Sequence, residues 1–140
     1  MGRTITIVKK AKVYLKSTVD GMSTQEEDLE YDAVVVKQNE NVYIDYVLDK
    51  QKTRIEICEE GVTICQIGEV CYTLCIMKDT KTSFVYTSPI GDIELFIGVE
   101  TNLIEYNITD KGIDIHLIYT LSFDKNTRSE NSLSLQCIYQ

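Results

Sequence analysis

The chain carries five cysteines, and three of them fall in the short stretch CQIGEVCYTLC, Cys65 to Cys75, with Cys58 close upstream. Thiols gathered this tightly raise zinc ligation or redox pairing. Zinc holds each sulfur about 2.3 Å away, which brings paired ligands within about 4 Å of each other. Cys71 and Cys75 lie on what reads as a strand, rising about 3.3 Å per residue, so they stand about 13 Å apart and cannot share an ion. If Gly68-Glu69 is a two-residue turn, Ile67 opposes Val70 and Cys65 opposes Tyr72, which turns Cys65 to the sheet face opposite Cys71. A loop one residue longer would return Cys65 and Cys71 to one face, so that pair alone stays open. No C-x-x-C knuckle is present. The expected role of these cysteines is that of small apolar strand residues, and neither a metal nor a cofactor is expected.

Other catalytic groups fare no better. The single histidine, His116, sits on the polar parity of its strand. Setting Leu121 opposite Leu133 places Leu117 opposite Cys137, so Cys137 points inward while His116 points outward opposite Ile138. A Cys–His nucleophile pair from these two would need a register slip. Glu26, Glu27, Asp28 and Glu30 read as an exposed loop and strand edge, and Asp92 and Glu94 lie on the face away from Ile93 and Leu95. There is no glycine-rich phosphate cradle and no nucleophile elbow. An enzyme is therefore the least favoured class.

Tyrosine is the more informative residue, with nine copies against three Phe and no Trp. Tyr31, Tyr46, Tyr72, Tyr86 and Tyr119 all fall on the more apolar parity of their strands. Inside a barrel each would supply an apolar ring and a hydroxyl needing a partner. Together they are the candidate lining of an amphipathic cavity. The competing account is that tyrosine, a good strand former, fills a solid core with its hydroxyls at the rim.

The elements that must position these residues have a period of two. In GIDIHLIYTLSF, Ile113, Ile115, Leu117, Tyr119, Leu121 and Phe123 share one face, and Asp114, His116, Thr120 and Ser122 the other. Such alternation marks a half-buried strand. The same pattern returns in Ile93-Leu95-Ile97-Val99, Leu133-Leu135-Cys137-Tyr139, Tyr31-Ala33-Val35, Val42-Ile44-Tyr46 and Thr53-Ile55-Ile57. About ten strands emerge, separated by turn signals such as Asp20-Gly21, Glu60-Gly61, Lys111-Gly112 and the stretch Asp124 to Glu130. The lone proline, Pro89, falls in a connection. Short connections imply antiparallel neighbours. One parity break stands out: the apolar residues are odd from Ile93 to Val99 but even at Ile104, Tyr106 and Ile108. A strand cannot change faces without an inserted residue, so a β-bulge or bend is expected between Thr101 and Ile104. Ten meandering strands, each with one apolar face, are best satisfied by an all-β, antiparallel up-and-down barrel, because closure removes exposed edges. A two-sheet sandwich is the alternative.

The chain's 140 residues suit a single domain, residues 1–140, with 44% hydrophobic and 26% charged residues. A net charge of −8 opposes nucleic-acid binding, and Lys10, Lys12 and Lys16 share one strand parity as a solvated face. No stretch approaches the roughly 20 apolar residues of a membrane helix. The start, MGRTITIVKK, has no signal-peptide pattern, so reduced cytoplasmic thiols are expected rather than disulfides. The permissive matches at Gly2 (myristoylation) and Asn107-Ile108-Thr109 (glycosylation) carry little weight.

VYIDY from Val42, KTRIEI with Thr53, Gly68, YTSPIGDIEL from Tyr86, Thr101, Gly112, IYTL around Tyr119 and SENSLSL near the end follow in order along nearly the whole chain. In this succession the chain resembles the bacterial YwiB-like family. The resemblance implies a cytoplasmic, calycin-type barrel akin to lipocalins and fatty-acid-binding proteins, and no defined activity. It departs where that family places acidic residues after the second tyrosine, since Val47-Leu48 precede Asp49 here.

VCYTLCIM, Val70 to Met77, is apolar on nearly both parities, as in a strand covered on both faces. In a simple barrel its outer side would be wet. Cys71, Thr73, Cys75 and Met77 are therefore a candidate interface, in a homodimer or against another partner. The leading expectation is non-covalent binding of a small amphipathic or apolar ligand inside the barrel. The rival is an interaction module acting through this outer face.

Overall fold

The computed structural model describes residues 6–23, 29–48, 50–68, 71–87 and 94–140. Eleven strands follow one another: β1 Thr6–Val19, β2 Met22–Ser23, β3 Leu29–Gln38, β4 Asn41–Leu48, β5 Gln51–Cys58, β6 Gly61–Ile67, β7 Tyr72–Met77, β8 Lys81–Thr87, β9 Glu94–Ile108, β10 Gly112–Ser122 and β11 Arg128–Tyr139. Ten of them form a single antiparallel sheet in the order β7-β6-β5-β4-β3-β1-β11-β10-β9-β8, and the two-residue β2 pairs only with β1. The first long strand pairs with the last, from Ala11 opposite Tyr139 to Val19 opposite Asn131. The sheet thus curls into an all-β barrel closed at the chain's two ends.

It is nearly closed rather than fully so. No ladder joins β7 to β8 among the described residues. Side chains bridge that seam instead. The Tyr72 and Phe84 rings stack across it at 5.5 Å, and the Thr82 hydroxyl donates to the Cys75 carbonyl at 2.6 Å.

Alternation builds the core. Val13, Val35, Ile44, Ile55, Ile57, Val62, Ile76, Ile113, Leu117 and Cys137 are fully buried, each on the inward parity of its strand. The polar parity of β1 points out, with Lys10 and Lys16 exposed. β9 needs one extra residue to keep its apolar side inward along its length. Ile118 opposes Leu103 while Tyr119 opposes Thr101, so Asn102 is the inserted residue. The bulge lies inside the interval expected from the parity break. Asn102 is exposed there, and its amide donates to the Thr120 hydroxyl at 2.8 Å.

Two registers differ from expectation. In the last hairpin Leu117, not Leu121, opposes Leu133, and Ile113 opposes Cys137; Leu121 faces Ser129. The cause is the loop. Asp124 accepts the backbone N–H groups of Asn126 and Thr127 at 2.7 and 2.8 Å, and the Phe123 N–H donates to the Thr127 carbonyl at 2.9 Å. That Asx-type turn lets Arg128 to Glu130, expected as part of the turn, join the ladder. The shift is even, so Cys137 still points inward and His116 outward, now opposite Ser134. In the cysteine-rich hairpin Cys65 opposes Thr73 and Gln66 opposes Tyr72, so the loop is one residue longer than a two-residue turn. Cys65 consequently faces outward. The connection around Pro89, the start of the run at Ile93, Asp92, Val70 and Glu26 to Asp28 lie outside the described residues.

At the end of the barrel bearing the turns at Asn39, Glu59-Glu60 and Asp110-Lys111, two backbones approach too closely for any side chain. A Cβ at Gly112 would lie 2.0 Å from the Cys137 carbonyl oxygen, and one at Gly61 2.2 Å from that of Ile76. At Gly98 the nearest atom would be an ordinary 3.7 Å away. Gly112→Ala is expected to cost about 1–3 kcal/mol through forced separation of β10 from β11. Gly98→Ala is expected to be close to neutral. Urea unfolding of the two variants checks this contrast.

Candidate functional site

The inward residues change character along the barrel axis. Below the turn just described lie Ile57, Val62, Ile76 and Ile113; at the other end lie all five tyrosines singled out by parity. Tyr31 and Tyr46 are buried, and Tyr72, Tyr86 and Tyr119 are half-buried. Residues 24–28, 49, 69–70 and 88–93 lie outside the described residues.

A registered row organises the site. Tyr46 opposes Thr53, Thr53 opposes Gln66, and Gln66 opposes Tyr72, across four adjacent strands on the inner face. The side chains join into one chain of hydrogen bonds. Tyr46 bonds to Thr53, whose hydroxyl donates to the Gln66 carbonyl oxygen at 3.0 Å; the Gln51 amide donates to the same oxygen at 3.2 Å, and Tyr72 bonds to Gln66. Tyr31 stacks on Tyr46 with ring centroids 5.7 Å apart and planes 15° from parallel. On the facing wall Tyr119 lies between Thr101 and Asn131 in register. The buried Asn131 amide donates to the Ser129 carbonyl and hydroxyl at 3.1 and 3.0 Å. The Thr101 hydroxyl is buried with no hydrogen-bond partner among the described residues.

Sequence reasoning identified the tyrosines and missed Thr53 and Gln66. Their signal was present: each is a polar residue on the apolar parity of its strand, after the pattern of Ile55-Ile57 and of Val62-Ile64. A polar side chain turned inward must find a partner, because a buried orphan costs about 1–3 kcal/mol.

Burial governs the acid–base behaviour here. It pushes Tyr46 and Tyr119 each up to about 12 from the usual 10.0, helped by neighbouring phenols, while the Thr53 hydrogen bond partly opposes the rise at Tyr46. Tyr72 is also raised, again mainly by burial and next by Tyr86.

The cysteines are dispersed. Cys137 is buried on the inner face, and burial pushes its thiol up to about 11. Cys65 and Cys75 face outward, taking contacts from the Thr73 hydroxyl at 3.8 Å and the Thr63 hydroxyl at 3.9 Å. Cys71 is exposed, its thiol 3.4 Å from the Gly68 carbonyl oxygen. Among the described residues no three His, Cys, Asp or Glu side chains are grouped to hold a metal ion. Of the candidate interface residues, Cys71 and Thr73 are exposed, and Cys75 and Met77 are half-buried.

A concavity of 1330 Å³ crosses β1, β3, β4, β5 and β6, and five of its charged side chains are paired. Lys12 bridges Asp32 and Glu30, and Arg54 grips Asp45 through two hydrogen bonds at 2.7 and 2.8 Å while lying over the Tyr43 ring. A smaller one, 650 Å³, lies over β1, β11, β10 and β9.

This architecture and its polar-ended interior define a calycin-like antiparallel barrel. Residues 13–135 match the domain of unknown function DUF1934, and the chain belongs to that family. Among solved structures, the ywiB protein from Bacillus subtilis has the same fold, with a TM-score of 0.79 over 95% of this chain and 93% of that one at 17% identity. The family resemblance read from the residues is thus borne out. No curated protein matches the chain. No helix among the described residues is long and apolar enough to cross a membrane.

The tyrosine shifts set an alkaline limit. Between the unfolded value of 10.0 and the folded value of about 12, the unfolded chain loses phenolic protons that native Tyr46 and Tyr119 retain. Stability contributed by these groups is therefore fully present below pH 10 and falls as the pH climbs. The loss is roughly 1.4 kcal/mol per pH unit for each ring. Absorbance at the phenolate band should show at least two of the nine tyrosines titrating only near pH 12 or with unfolding, and Tyr46→Phe should remove one of them.

Proposed function

We propose that the barrel binds a small amphipathic molecule non-covalently at its tyrosine-rich end. One observation carries this reading: the linked row Tyr46, Thr53, Gln66 and Tyr72, with Tyr119 and Tyr86 closing round it. Five rings give an apolar lining, while their hydroxyls and the Gln66 amide give directional anchors in a setting where each hydrogen bond counts. Tyr72, Tyr86 and Tyr119 are only half-buried, so this end offers accessible ring surface. Among the described residues no side chain there forms a nucleophile–base pair, which favours binding over turnover.

Native mass spectrometry of protein purified from its own host tests the reading. The expected result is an adduct on the 16.0 kDa chain that is released on unfolding. With no tryptophan, tyrosine emission reports directly on the site. Titration with 1-anilinonaphthalene-8-sulfonate as an amphipathic probe should quench that emission, and Gln66→Leu should weaken binding by about tenfold, one lost hydrogen bond. A bare mass together with unchanged emission would overturn the proposal.

A second reading rests on a separate observation. Among the described residues β7 has a ladder on one side, and its outer face presents the Cys65–Thr73 and Thr63–Cys75 contacts, a strip of low polarity. Self-association through Cys71, Thr73, Cys75 and Met77 would cover that strip. Under this reading Cys71→Asp with Cys75→Asp converts a dimer to a monomer in sedimentation velocity. A native chain that sediments as a monomer at all concentrations counts against it.

A further inference from the structure

We propose that the 650 Å³ concavity on the outer face of β1, β11, β10 and β9 is a binding site for a neutral polyhydroxylated ligand, of the saccharide class. Its bed is two registered rows of polar side chains. In the first, Lys16 opposes Ser134, Ser134 opposes His116, and His116 opposes Glu105. In the second, Tyr14 opposes Gln136, Gln136 opposes Asp114, and Asp114 opposes Asn107. All eight line the concavity.

What sets this bed apart is that its hydrogen-bonding capacity is unspent. Among the described residues, none of the eight side chains hydrogen-bonds or ion-pairs with another. The opposite outer face behaves differently: there Lys12, Glu30, Asp32, Asp45 and Arg54 are tied to one another. Directly opposed side chains on a sheet have Cβ atoms about 5 Å apart. A bed of two rows by four strands therefore presents hydrogen-bonding groups at spacings of about 5 to 7 Å, the scale of hydroxyls along one or two pyranose rings.

The chemistry of the bed selects the ligand. Lys16, His116 and the Gln136 and Asn107 amides can donate; Glu105 and Asp114 accept; Ser134 and Tyr14 do both. A sugar hydroxyl both donates and accepts, and vicinal hydroxyls suit planar amides and carboxylates that engage two at once. One lysine stands against the two carboxylates Glu105 and Asp114, which disfavours phosphate or sulfate. Tyr14 offers a ring at one corner. The flanking rows mix polar and apolar side chains: Ile138 lies between Lys12 and Gly112 beside one row, and Ile118 and Leu103 continue from Ser132 beside the other.

Ser134, His116 and Glu105 also stand in the order nucleophile, base, acid. They form no hydrogen bonds among themselves, and Ser134 and Glu105 are exposed. A hydrolytic triad needs the base held by the acid and the nucleophile held by the base, so the bed fits binding and not hydrolysis.

Amide-resolved NMR titration of the full chain with maltotetraose, cellotetraose and xylotetraose, run separately, tests the assignment. At least one is expected to shift the amides of Glu105, Asn107, Asp114, His116, Ser134 and Gln136 together, saturating in the millimolar range of a shallow, hydrated site. Glu105→Ala with Asp114→Ala, on exposed positions, should keep the native spectrum and weaken binding by at least about tenfold. The proposal is overturned if no sugar moves these resonances at about 50 mM, if the double variant binds as well as the native chain, or if sodium sulfate moves them at lower concentration than any sugar. The tyrosine-end resonances, read in the same spectra, report separately on the barrel interior.

Discussion

A closed sheet has one inner face, and every strand must keep the same parity toward it for its whole length. β9 is the strand on which this constraint bears hardest, because it runs for 15 residues and its Gly98 to Ile108 stretch pairs with Ile113 to Ser122 of β10. Ile97, Val99 and Thr101 face inward on odd numbers; Ile104 and Tyr106 face inward on even ones. The single inserted residue Asn102 makes both halves compatible with one barrel. Without it, Ile104 would turn to water and Glu105 would turn into the core opposite Ile115. Burying an unpaired carboxylate costs far more than a bulge does. The bulge also increases local twist, which helps carry β9 and β10 round toward β11 and the closing ladder with β1.

Within that closed face the linked polar side chains gather at one end, although Tyr106 and Tyr139 also lie on the inward parity near the tight turns. The end with the tight turns brings backbones so close at Gly61 and Gly112 that no side chain fits, and branched aliphatics fill the layer beneath. The other end is wider in content. Tyrosine suits it because the ring buries like phenylalanine while the hydroxyl enters a network. Thr53 and Gln66 supply that network on the inward parity of β5 and β6, and Tyr46 and Tyr72 cap it at both ends. A hydrocarbon core would leave nothing to orient a guest. A fully hydrated mouth would weaken each hydrogen bond.

Parity was legible from the residues alone, and register was not. Alternation is a local property, so it located the strands, the inward tyrosines, inward Cys137 and outward His116, and the interval of the bulge. Register depends on loop geometry, which is set by particular hydrogen bonds. Asp124 capping Asn126 and Thr127 moved the last hairpin by four positions and set Leu117 against Leu133. The longer loop before Cys71 turned Cys65 outward beside Thr73. Lateral rows such as Tyr46-Thr53-Gln66-Tyr72 follow from register across several strands at once, so they could not be assembled before the pairings were known. Thr53 and Gln66 were readable as inward polar residues, but their mutual contact was not.

The outer faces show why unpaired polarity is informative in a chain of net charge −8. Exposed ion pairs such as Lys12 with Asp32, or Arg54 with Asp45, contribute about 0–1 kcal/mol each, so stability gives little reason to form or avoid them. Their consequence lies in what they consume. On the face of β3, β4 and β5, Asp32, Asp45 and Arg54 are committed to ion pairs, and a ligand engaging them must break those bonds before making its own. On the face of β9, β10, β11 and β1, Lys16, Asp114, Glu105 and the amides between them have no side-chain partner among the described residues. Exchanging water for a sugar hydroxyl there sacrifices no protein–protein bond. Folding is nearly indifferent to the difference between the two faces, but binding is not, and that difference points to the bed of β9, β10, β11 and β1 as the face able to receive a polar guest.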